Sequence, residues 1–233
     1  MLYLISLGLY DKKDISLRAI ETGKKCKVLY FEDYTSFYGS SLKELEKLFG
    51  KKVNELKRED VESDFLVKEA RDKDVGLLVI GDALSATTHS TFVLDKAKVV
   101  HGSSVLTAVG ETGLMLYNFG KVTSIPFDNE SVKEPINVIK KNKDLHTLCL
   151  LDLKDGKYMK VSEGLNYLIK NGLSKERLVV GCSALGSEKR EIKVGKAKDL
   201  VKIKFSLKPQ CIIVPGKLHF IEEEILEKYR NVK

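Results

Sequence analysis

The residue types best suited to binding chemistry in this chain lie in small polar loops that follow apolar runs. The clearest example is the segment 75–90, where an apolar run rich in branched residues gives way to Gly81-Asp82 and then to small and hydroxyl side chains. Parallel sheets bind ligands outside the carboxyl ends of their strands, so a glycine and a carboxylate at such an end can line a ligand site. Glycine and aspartate also favour plain turns. Taken alone, the segment is consistent with either a ligand-binding loop or a surface turn.

Three further loops of similar composition follow apolar runs. They are Gly8-Leu9, Tyr34-Thr35-Ser36 and His101-Gly102-Ser103-Ser104. In a doubly wound parallel sheet the carboxyl ends of the strands share one edge, so these loops and Gly81-Asp82 would converge there. Their backbone amides, hydroxyls and single carboxylate suit a polar small molecule that is uncharged or cationic. They lack the positive charge that a polyphosphate requires.

The motifs of several common enzyme classes are missing. Gly8 stands alone after the first apolar run, so the glycine-rich dinucleotide fingerprint is absent, and the sequence contains neither a P-loop nor a G-x-S-x-G elbow. The histidines are far apart and show no metal-ligand spacing: His89, His101, His146 and His219. We therefore expect no metal site.

The composition is that of an ordinary globular protein. The chain has 233 residues, 43% of them hydrophobic, which permits one large domain or two smaller ones. No run approaches the ~18 apolar residues of a membrane span, and residues 1–8 lack the features of a signal peptide, so we expect a cytoplasmic protein without a membrane partner. The net charge of +7 comes mostly from scattered lysines, which argues against direct nucleic-acid binding. The four cysteines share no spacing and are expected to be buried, reduced thiols.

Apolar periodicity divides the chain into two parts. In the first part we predict strands over 2–7, 28–31, 53–56, 75–80 and 98–101, and helices over 14–25, 41–49, 61–72 and 91–96. This alternation predicts an N-terminal α/β domain, residues 1–113, with a mainly parallel sheet. In the second part residues 122–127 are apolar and residues 128–134 form a polar connection. We predict strands over 146–153, 177–182, 192–194 and 210–214, and helices over 161–170, 197–201 and 220–229. Its looser alternation predicts a C-terminal α+β domain, residues 114–233.

Segments spread in order along nearly the whole chain carry a family resemblance. They are Leu7-Gly-Leu-Tyr-Asp11 with Asp14-Ile15, Glu32-Asp-Tyr-Thr-Ser36, Arg58-Glu-Asp-Val61, Gly81-Asp82 with Ala86-Thr-Thr-His89, HGSSVLTAVGETGLMLYNFG at 101–120, His146-Thr-Leu-Cys-Leu-Leu-Asp152 and Val214-Pro-Gly-Lys-Leu-His219. Together they resemble the tetrapyrrole-methylase-like S-adenosylmethionine methyltransferases. Within that family, the segment 101–120 and the segment 215–219 are typical of the diphthine-forming branch.

The resemblance implies the two-domain tetrapyrrole-methylase-like fold, with S-adenosylmethionine bound in the cleft between the domains. The implied substrate is translation elongation factor 2, in which the amino group of a 3-amino-3-carboxypropyl-histidine is methylated repeatedly to give diphthine. The archaeal type stops at the trimethylammonium product, whereas the eukaryotic type adds a methyl ester. At 233 residues the chain resembles the archaeal type. A homodimer is implied as well.

The resemblance also implies a set of cofactor contacts. From the first domain and then the second, these are Leu9, Asp82, Ser85, Ser104, Val105, Leu151, Leu185 and His219. The chain departs from the family pattern at Ala83, where the family has a proline. It departs again at Ser183-Ala184-Leu185-Gly186, which lacks the family's arginine, so the contact of Leu185 is expected through its backbone.

Methyl transfer from a sulfonium demands little from side chains, because the methyl group is already activated. A free α-amino group has a pKa of about 8, so part of it is neutral near pH 7 and needs no strong base. The candidate catalytic residues are His101, His89 and Tyr34. Each has a structural alternative: the histidines as hydrogen-bonded side chains of the fold, and Tyr34 as part of a capping loop.

Two other functions are compatible with parts of the sequence. A methylase of the same fold could act on a tetrapyrrole or corrinoid precursor, although the segments 101–120 and 215–219 favour the diphthine-forming branch. A non-enzymatic basic module associated with ribosomes would account for the scattered lysines and arginines. It would not account for the converging glycine, serine and threonine loops.

Overall fold

A computed structural model of the protein describes residues 1–85 and 96–230. The chain forms two compact units, Met1–Ala108 and Val109–Lys233, whereas the sequence placed the boundary after residue 113. His89 and most of the predicted helix over 91–96 lie outside the described residues. Of the helices that are described, none is long and apolar enough to cross a membrane.

The N-terminal unit is built on a five-stranded parallel sheet. Its strands are β1 (Leu2–Ser6), β2 (Val28–Glu32), β3 (Val53–Leu56), β4 (Val75–Val79) and β5 (Ala97–Val100), in the order β3-β2-β4-β1-β5. Strand β1 pairs with both β4 and β5, with Leu4 opposite Leu77 and Val99. All the strands of this sheet run parallel, which confirms the prediction and places their carboxyl ends along one edge.

Helices cover the sheet of this unit. They are α1 (Leu17–Lys25), α2 (Leu42–Phe49), α3 (Arg58–Val61), α4 (Phe65–Glu69) and α5 (Val105–Ala108), with a 3-10 turn at Lys12–Asp14. On one face Ile5 and Leu29 pack with Phe49 of α2. On the other face Leu4 and Leu77 pack in a second cluster. Burial on both faces explains why β4 is apolar along its whole length.

The structure corrects the helix predicted over 61–72. Two short helices, α3 and α4, replace it, because Ser63 offers the backbone other partners. Its hydroxyl donates to the Asp60 carbonyl oxygen (2.7 Å) and accepts from the Phe65 N–H (3.1 Å). By contrast, the start of α2 is confirmed: Ser41 and Glu44 form the predicted capping box.

The C-terminal unit contains a mixed sheet and a small hairpin. Its strands are β6 (Thr123–Ile125), β7 (Thr147–Leu151), β8 (Leu153–Lys154), β9 (Lys157–Tyr158), β10 (Leu178–Ser183), β11 (Glu191–Lys196) and β12 (Gln210–Val214). The larger sheet has the order β11-β10-β12-β7-β6, in which the β6–β7 pair is parallel and the other pairs are antiparallel. Strands β8 and β9 form the hairpin. The region 146–153, predicted as a single strand, is therefore divided between β7 and β8.

Four helices belong to this unit: α6 (Glu134–Asn142), α7 (Val161–Lys170), α8 (Ala197–Leu200) and α9 (Phe220–Glu227). Two 3-10 turns, Val109–Thr112 and Leu116–Asn118, precede β6. Helix α6 was not predicted from the sequence. Its first turn holds Pro135, a residue tolerated at a helix start, and it buries Ile136 and Val138. All four cysteines of the chain are buried free thiols, as predicted.

Candidate functional site

The loops after β1 and β4 are joined at the carboxyl edge of the parallel sheet. The Gly8 N–H donates to the Gly81 carbonyl oxygen (3.1 Å), and the Gly81 N–H donates to the Gly8 carbonyl oxygen (2.8 Å). Both residues have positive φ, +72° and +78°, which glycine adopts without steric cost. The two chain segments therefore leave the sheet side by side.

The loop after β5 closes against this pair. A Cβ atom built on Gly102 would lie 2.8 Å from the Ser6 Cβ and 3.1 Å from the Gly8 nitrogen, which is closer than side chains pack. The missing side chain at Gly102 is what allows the backbone to approach the end of β1. Three of the four loops predicted to converge meet at this point.

Asp82 is buried at the junction, and its carboxylate receives three hydrogen bonds. Oδ1 accepts the Leu84 N–H (2.9 Å), and Oδ2 accepts the Gly102 N–H (3.1 Å). Oδ2 also lies 2.9 Å from Nδ1 of His101, which must be the donor because an ionised carboxylate can only accept. The side chain therefore ties the loop after β4 to the loop after β5.

The ionisation of Asp82 follows from these bonds. Burial alone raises the pKa of a carboxyl group. The N–H groups of Leu84 and Gly102, together with the His101 ring, outweigh burial and hold the pKa of Asp82 below its usual value. The carboxylate is therefore ionised at neutral pH. It has roughly four acceptor positions, so it can still receive a hydrogen bond from a ligand.

The other predicted contacts in this unit lie on the same loops. The Ser85 N–H donates to the Asp82 carbonyl oxygen (2.9 Å). Ser104 is buried, and its hydroxyl accepts the Leu106 N–H (3.0 Å), which caps the helix that begins at Val105. The structure thus brings Asp82, Ser85, Ser104 and Val105 to one part of the edge.

The loop after β1, residues 8–14 and hereafter the first loop, holds a residue to which the sequence assigned no role. Oδ2 of Asp14 accepts the Leu9 N–H (2.6 Å), and Oδ1 of Asp14 accepts the Ser103 hydroxyl (3.1 Å). Asp14 therefore connects the first loop to the loop after β5. Asp14 belongs to a segment that carries the family resemblance, but its contact with Ser103 spans 89 positions of sequence, so no local pattern predicts that contact.

The fourth loop follows β2 and is organised around a buried carboxylate that the sequence did not assign. Glu32 is fully buried and accepts the Thr35 hydroxyl at Oε1 (2.7 Å). Burial and the nearby Glu32 raise the pKa of Tyr34, although the Arg58 guanidinium, 5.4 Å from its ring centre, opposes the shift. Tyr34 therefore keeps its proton at neutral pH. Its ring packs against the core cluster that holds Leu4 and Ala83.

The remaining candidate catalytic residue within the described chain is His101. Its side chain is 68% exposed and is oriented by its bond to Asp82. An imidazole in this position can exchange a proton with solvent and with a bound group. His89, the other candidate histidine, lies outside the described residues.

The three other predicted cofactor contacts belong to the C-terminal unit. Leu151 ends β7, Leu185 is buried in the loop after β10, and His219 is exposed at the start of α9. The loop of Leu185 is anchored by the Gly186 N–H, which donates to Oε1 of Glu111 (3.0 Å). The cofactor contacts of these three residues stay predictions.

Comparison with known proteins identifies the fold and its relatives. A family model for Tetrapyrrole (Corrin/Porphyrin) Methylases matches residues 1–201. A diphthine synthase from Methanocaldococcus jannaschii is 40% identical over 251 residues, covering 97% of this chain and 98% of that protein. A probable diphthine methyl ester synthase from Arabidopsis thaliana is 40% identical, covering 99% of this chain and 98% of that protein. A crystal structure of diphthine synthase superposes with a TM-score of 0.93 at 37% identity, covering 100% of this chain and 96% of that one.

Proposed function

Because this chain belongs to the tetrapyrrole (corrin/porphyrin) methylase family, and within it to the diphthine synthases, we propose that it methylates elongation factor 2 in diphthamide biosynthesis. The chain is a methyltransferase that uses S-adenosylmethionine. The acceptor is the amino nitrogen of a 3-amino-3-carboxypropyl-histidine. The observation that carries this proposal is identity of about two residues in five along almost the full length of both chains.

The residues at the edge of the parallel sheet fit this cofactor. S-adenosylmethionine supplies a methyl group that a cationic sulfur activates toward a nitrogen lone pair. The edge offers a matching environment: an ionised Asp82 with an acceptor position left, and small loops around Gly8 and Gly102. We propose that Leu9, Asp82, Ser85, Ser104 and Val105 bind the cofactor on this edge.

We propose that the C-terminal unit supplies the other contacts, through Leu151, Leu185 and His219. The anchoring of the Leu185 loop by Glu111 supports a backbone contact, since it fixes the main chain after β10. Such a contact would also explain why the missing arginine of this segment is tolerated. These roles follow from the family resemblance. Removal of the Leu151 and His219 side chains would test theirs, whereas a backbone contact of Leu185 should survive Leu185→Ala.

The protein has to orient the acceptor nitrogen and exclude water, and such positioning contributes on the order of 7–11 kcal/mol to catalysis. A proton must leave the nitrogen before each transfer. Tyr34 holds its own proton and is a hydrogen-bond donor rather than a base. Of the two described candidates, His101 is therefore the one that can accept a proton, either directly or through water.

The number of methyl groups is part of the proposal. We expect three on nitrogen, which gives a trimethylammonium product. A second candidate product is a methyl ester of the same arm, and the equal identity to the Arabidopsis thaliana protein favours considering it. The two differ chemically, because an ester is cleaved by mild alkali and a quaternary ammonium group is not.

The test is a transfer assay with labelled S-adenosylmethionine and elongation factor 2 that carries the aminocarboxypropyl-histidine. Label should appear on the factor, and mass spectrometry should show three methyl groups that survive alkali. Loss of one methyl group in alkali would establish the ester instead. Transfer to a corrinoid precursor and not to the factor would contradict the proposal, as would the absence of any transfer.

We further propose that the enzyme is a cytoplasmic homodimer. Four free cysteines support a reducing compartment, where disulfides are rare. Large apolar side chains exposed on the C-terminal unit support self-association, most of all Tyr117 and Phe220.

A further inference from the structure

We propose that Asp14 is a positioning residue, which holds the first loop in the conformation that receives S-adenosylmethionine. The inference rests on the proposed function, because Leu9 of this loop is a proposed cofactor contact. Asp14 itself contacts Leu9 and Ser103, and it acts through them.

The first loop contains a backbone conformation that non-glycine residues rarely adopt. Tyr10 has a φ of +61°, and the Asp11 N–H donates to the Leu9 carbonyl oxygen across it (2.7 Å), closing a three-residue turn. Backbone of this kind is strained and persists only where the surroundings fix it. The turn therefore needs an external clamp on each side of Tyr10.

The clamps are visible in the contacts of the loop. On one side, the Gly39 N–H donates to the Tyr10 carbonyl oxygen (2.5 Å). On the other side, Asp14 accepts the Leu9 N–H. Its carboxylate lies against Gly8, where an added Cβ would be only 2.5 Å from Oδ2 of Asp14. Among the described contacts, the Asp14 carboxylate is the one side-chain group that accepts the Leu9 N–H. Its removal would leave that side of the turn without a side-chain acceptor.

The second oxygen of Asp14 extends this clamp to another part of the proposed site. It accepts the hydroxyl of Ser103, which directly precedes Ser104 and follows Gly102, a partner of Asp82. Asp14 thus fixes the spacing between two loops that carry proposed cofactor contacts. A change in that spacing should weaken cofactor binding more than it weakens the fold.

Asparagine at position 14 separates geometry from charge. Its amide oxygen can accept the Leu9 N–H, and its amide nitrogen can donate to the Ser103 oxygen, so both contacts survive without the negative charge. Alanine removes both contacts. If Asp14 acts by position, Asp14→Asn should therefore rescue what Asp14→Ala loses.

Calorimetry with S-adenosylmethionine and with S-adenosylhomocysteine, together with thermal unfolding, tests the proposal on the full chain. Asp14→Ala should weaken both ligands at least about ten-fold, the effect of one charge-assisted hydrogen bond. Asp14→Asn should stay within about two-fold of the wild type, and Ser103→Ala should lie between. The control is Asp74→Ala, which removes a carboxylate next to the N-terminal amine at the opposite edge of the same sheet and should leave affinity unchanged.

Each other result overturns the inference. Unchanged affinity in Asp14→Ala, or in Ser103→Ala should Asp14→Ala not fold, would show that the clamp does not set the site. Equal loss in Asp14→Asn and Asp14→Ala would assign the effect to charge. Failure of the wild type itself to bind S-adenosylmethionine would instead contradict the proposed function.

Discussion

Asp82 holds two loops together through an ionised carboxylate, so its contribution to stability depends on pH. Its lowered pKa means that this contribution is present above the value of about 3.9 for an unfolded aspartate, and is lost as the pH falls through the lower folded value. At neutral pH, Asp82→Ala should lose roughly 2 kcal/mol of unfolding free energy, because its donors are left without an acceptor. The deficit should shrink as the pH is lowered below about 4.

Urea unfolding of both proteins across this pH range measures the deficit. Asp128→Ala is a suitable control, since Asp128 pairs with Lys154 on the surface, where ion pairs contribute little. A deficit that did not change with pH would show that the carboxylate charge is not what holds the loops.

Individual site residues were predictable from the sequence where the signal was local. Gly8 and Gly81 end apolar runs, and both proved to be left-handed turns at the sheet edge. Asp14 and Glu32 could not be assigned, because their roles depend on partners brought together by the fold. The bond from Ser103 to Asp14 exists only once β1 and β5 are neighbours.

At the scale of the elements, strands were predicted better than short helices. Apolar runs such as β4 are unambiguous, because both faces of a parallel strand are buried. The region 61–72 has helical spacing, but the hydroxyl of Ser63 competes for the backbone, so α3 ends at Val61 and α4 begins only at Phe65. Helix α6 was missed because it begins where the polar connection over 128–134 ends and buries few residues, Pro135, Ile136 and Val138.

Helix α9 is attached to its unit by a network of hydrogen bonds around the buried residues His146 and Glu222, hereafter the Glu222 network. Nδ1 of His146 accepts the Gly216 N–H (3.0 Å), so the proton is on Nε2, which donates to Oε1 of Glu222 (3.0 Å). The same carboxylate accepts the N–H groups of Met115 (2.8 Å) and His219 (2.8 Å). All three partners are donors, so Glu222 cannot be replaced by a group that also donates.

Glu222→Ala should therefore destabilise the protein by about 3 kcal/mol or more, because the buried His146 donor and two partly buried backbone N–H groups lose their acceptor. Glu222→Gln should be intermediate, since one amide oxygen remains but the amide nitrogen faces a donor. Glu223→Gln, an exposed change on the same helix, should be neutral. Chemical unfolding at neutral pH gives the order, and a Glu222→Gln variant as stable as the wild type would contradict the assigned proton.

At the scale of the whole molecule, the sequence predicted the architecture because the two parts of the chain alternate differently. Regular alternation of strand and helix patterns predicted the parallel sheet of the N-terminal unit. The irregular alternation of the second half predicted an α+β domain, and that unit contains a mixed sheet. Assembly is harder to predict, because exposure is a property of the folded surface. Tyr117 and Phe220 are ordinary aromatic residues in the sequence, yet they are 80% and 69% exposed.

These two side chains provide the test of the proposed homodimer. Tyr117 and Phe220 lie close in sequence to members of the Glu222 network. So do other exposed apolar residues of the same unit, Leu116, Leu145 and Ile221. A two-fold dimer would bury the same patch on both copies. Light scattering after size exclusion should give twice the chain mass of 26.2 kDa for the wild type, and one chain mass for the double variant Tyr117→Ser, Phe220→Ser.

Leu17→Ser is the matched control, because Leu17 is 79% exposed on α1 of the other unit and its removal should leave the dimer intact. A wild type of one chain mass would contradict the homodimer itself. A double variant that stayed dimeric would move the interface elsewhere. Since burial of aromatic side chains dominates interface energetics, loss of the dimer in the double variant alone would locate its contact on the C-terminal unit.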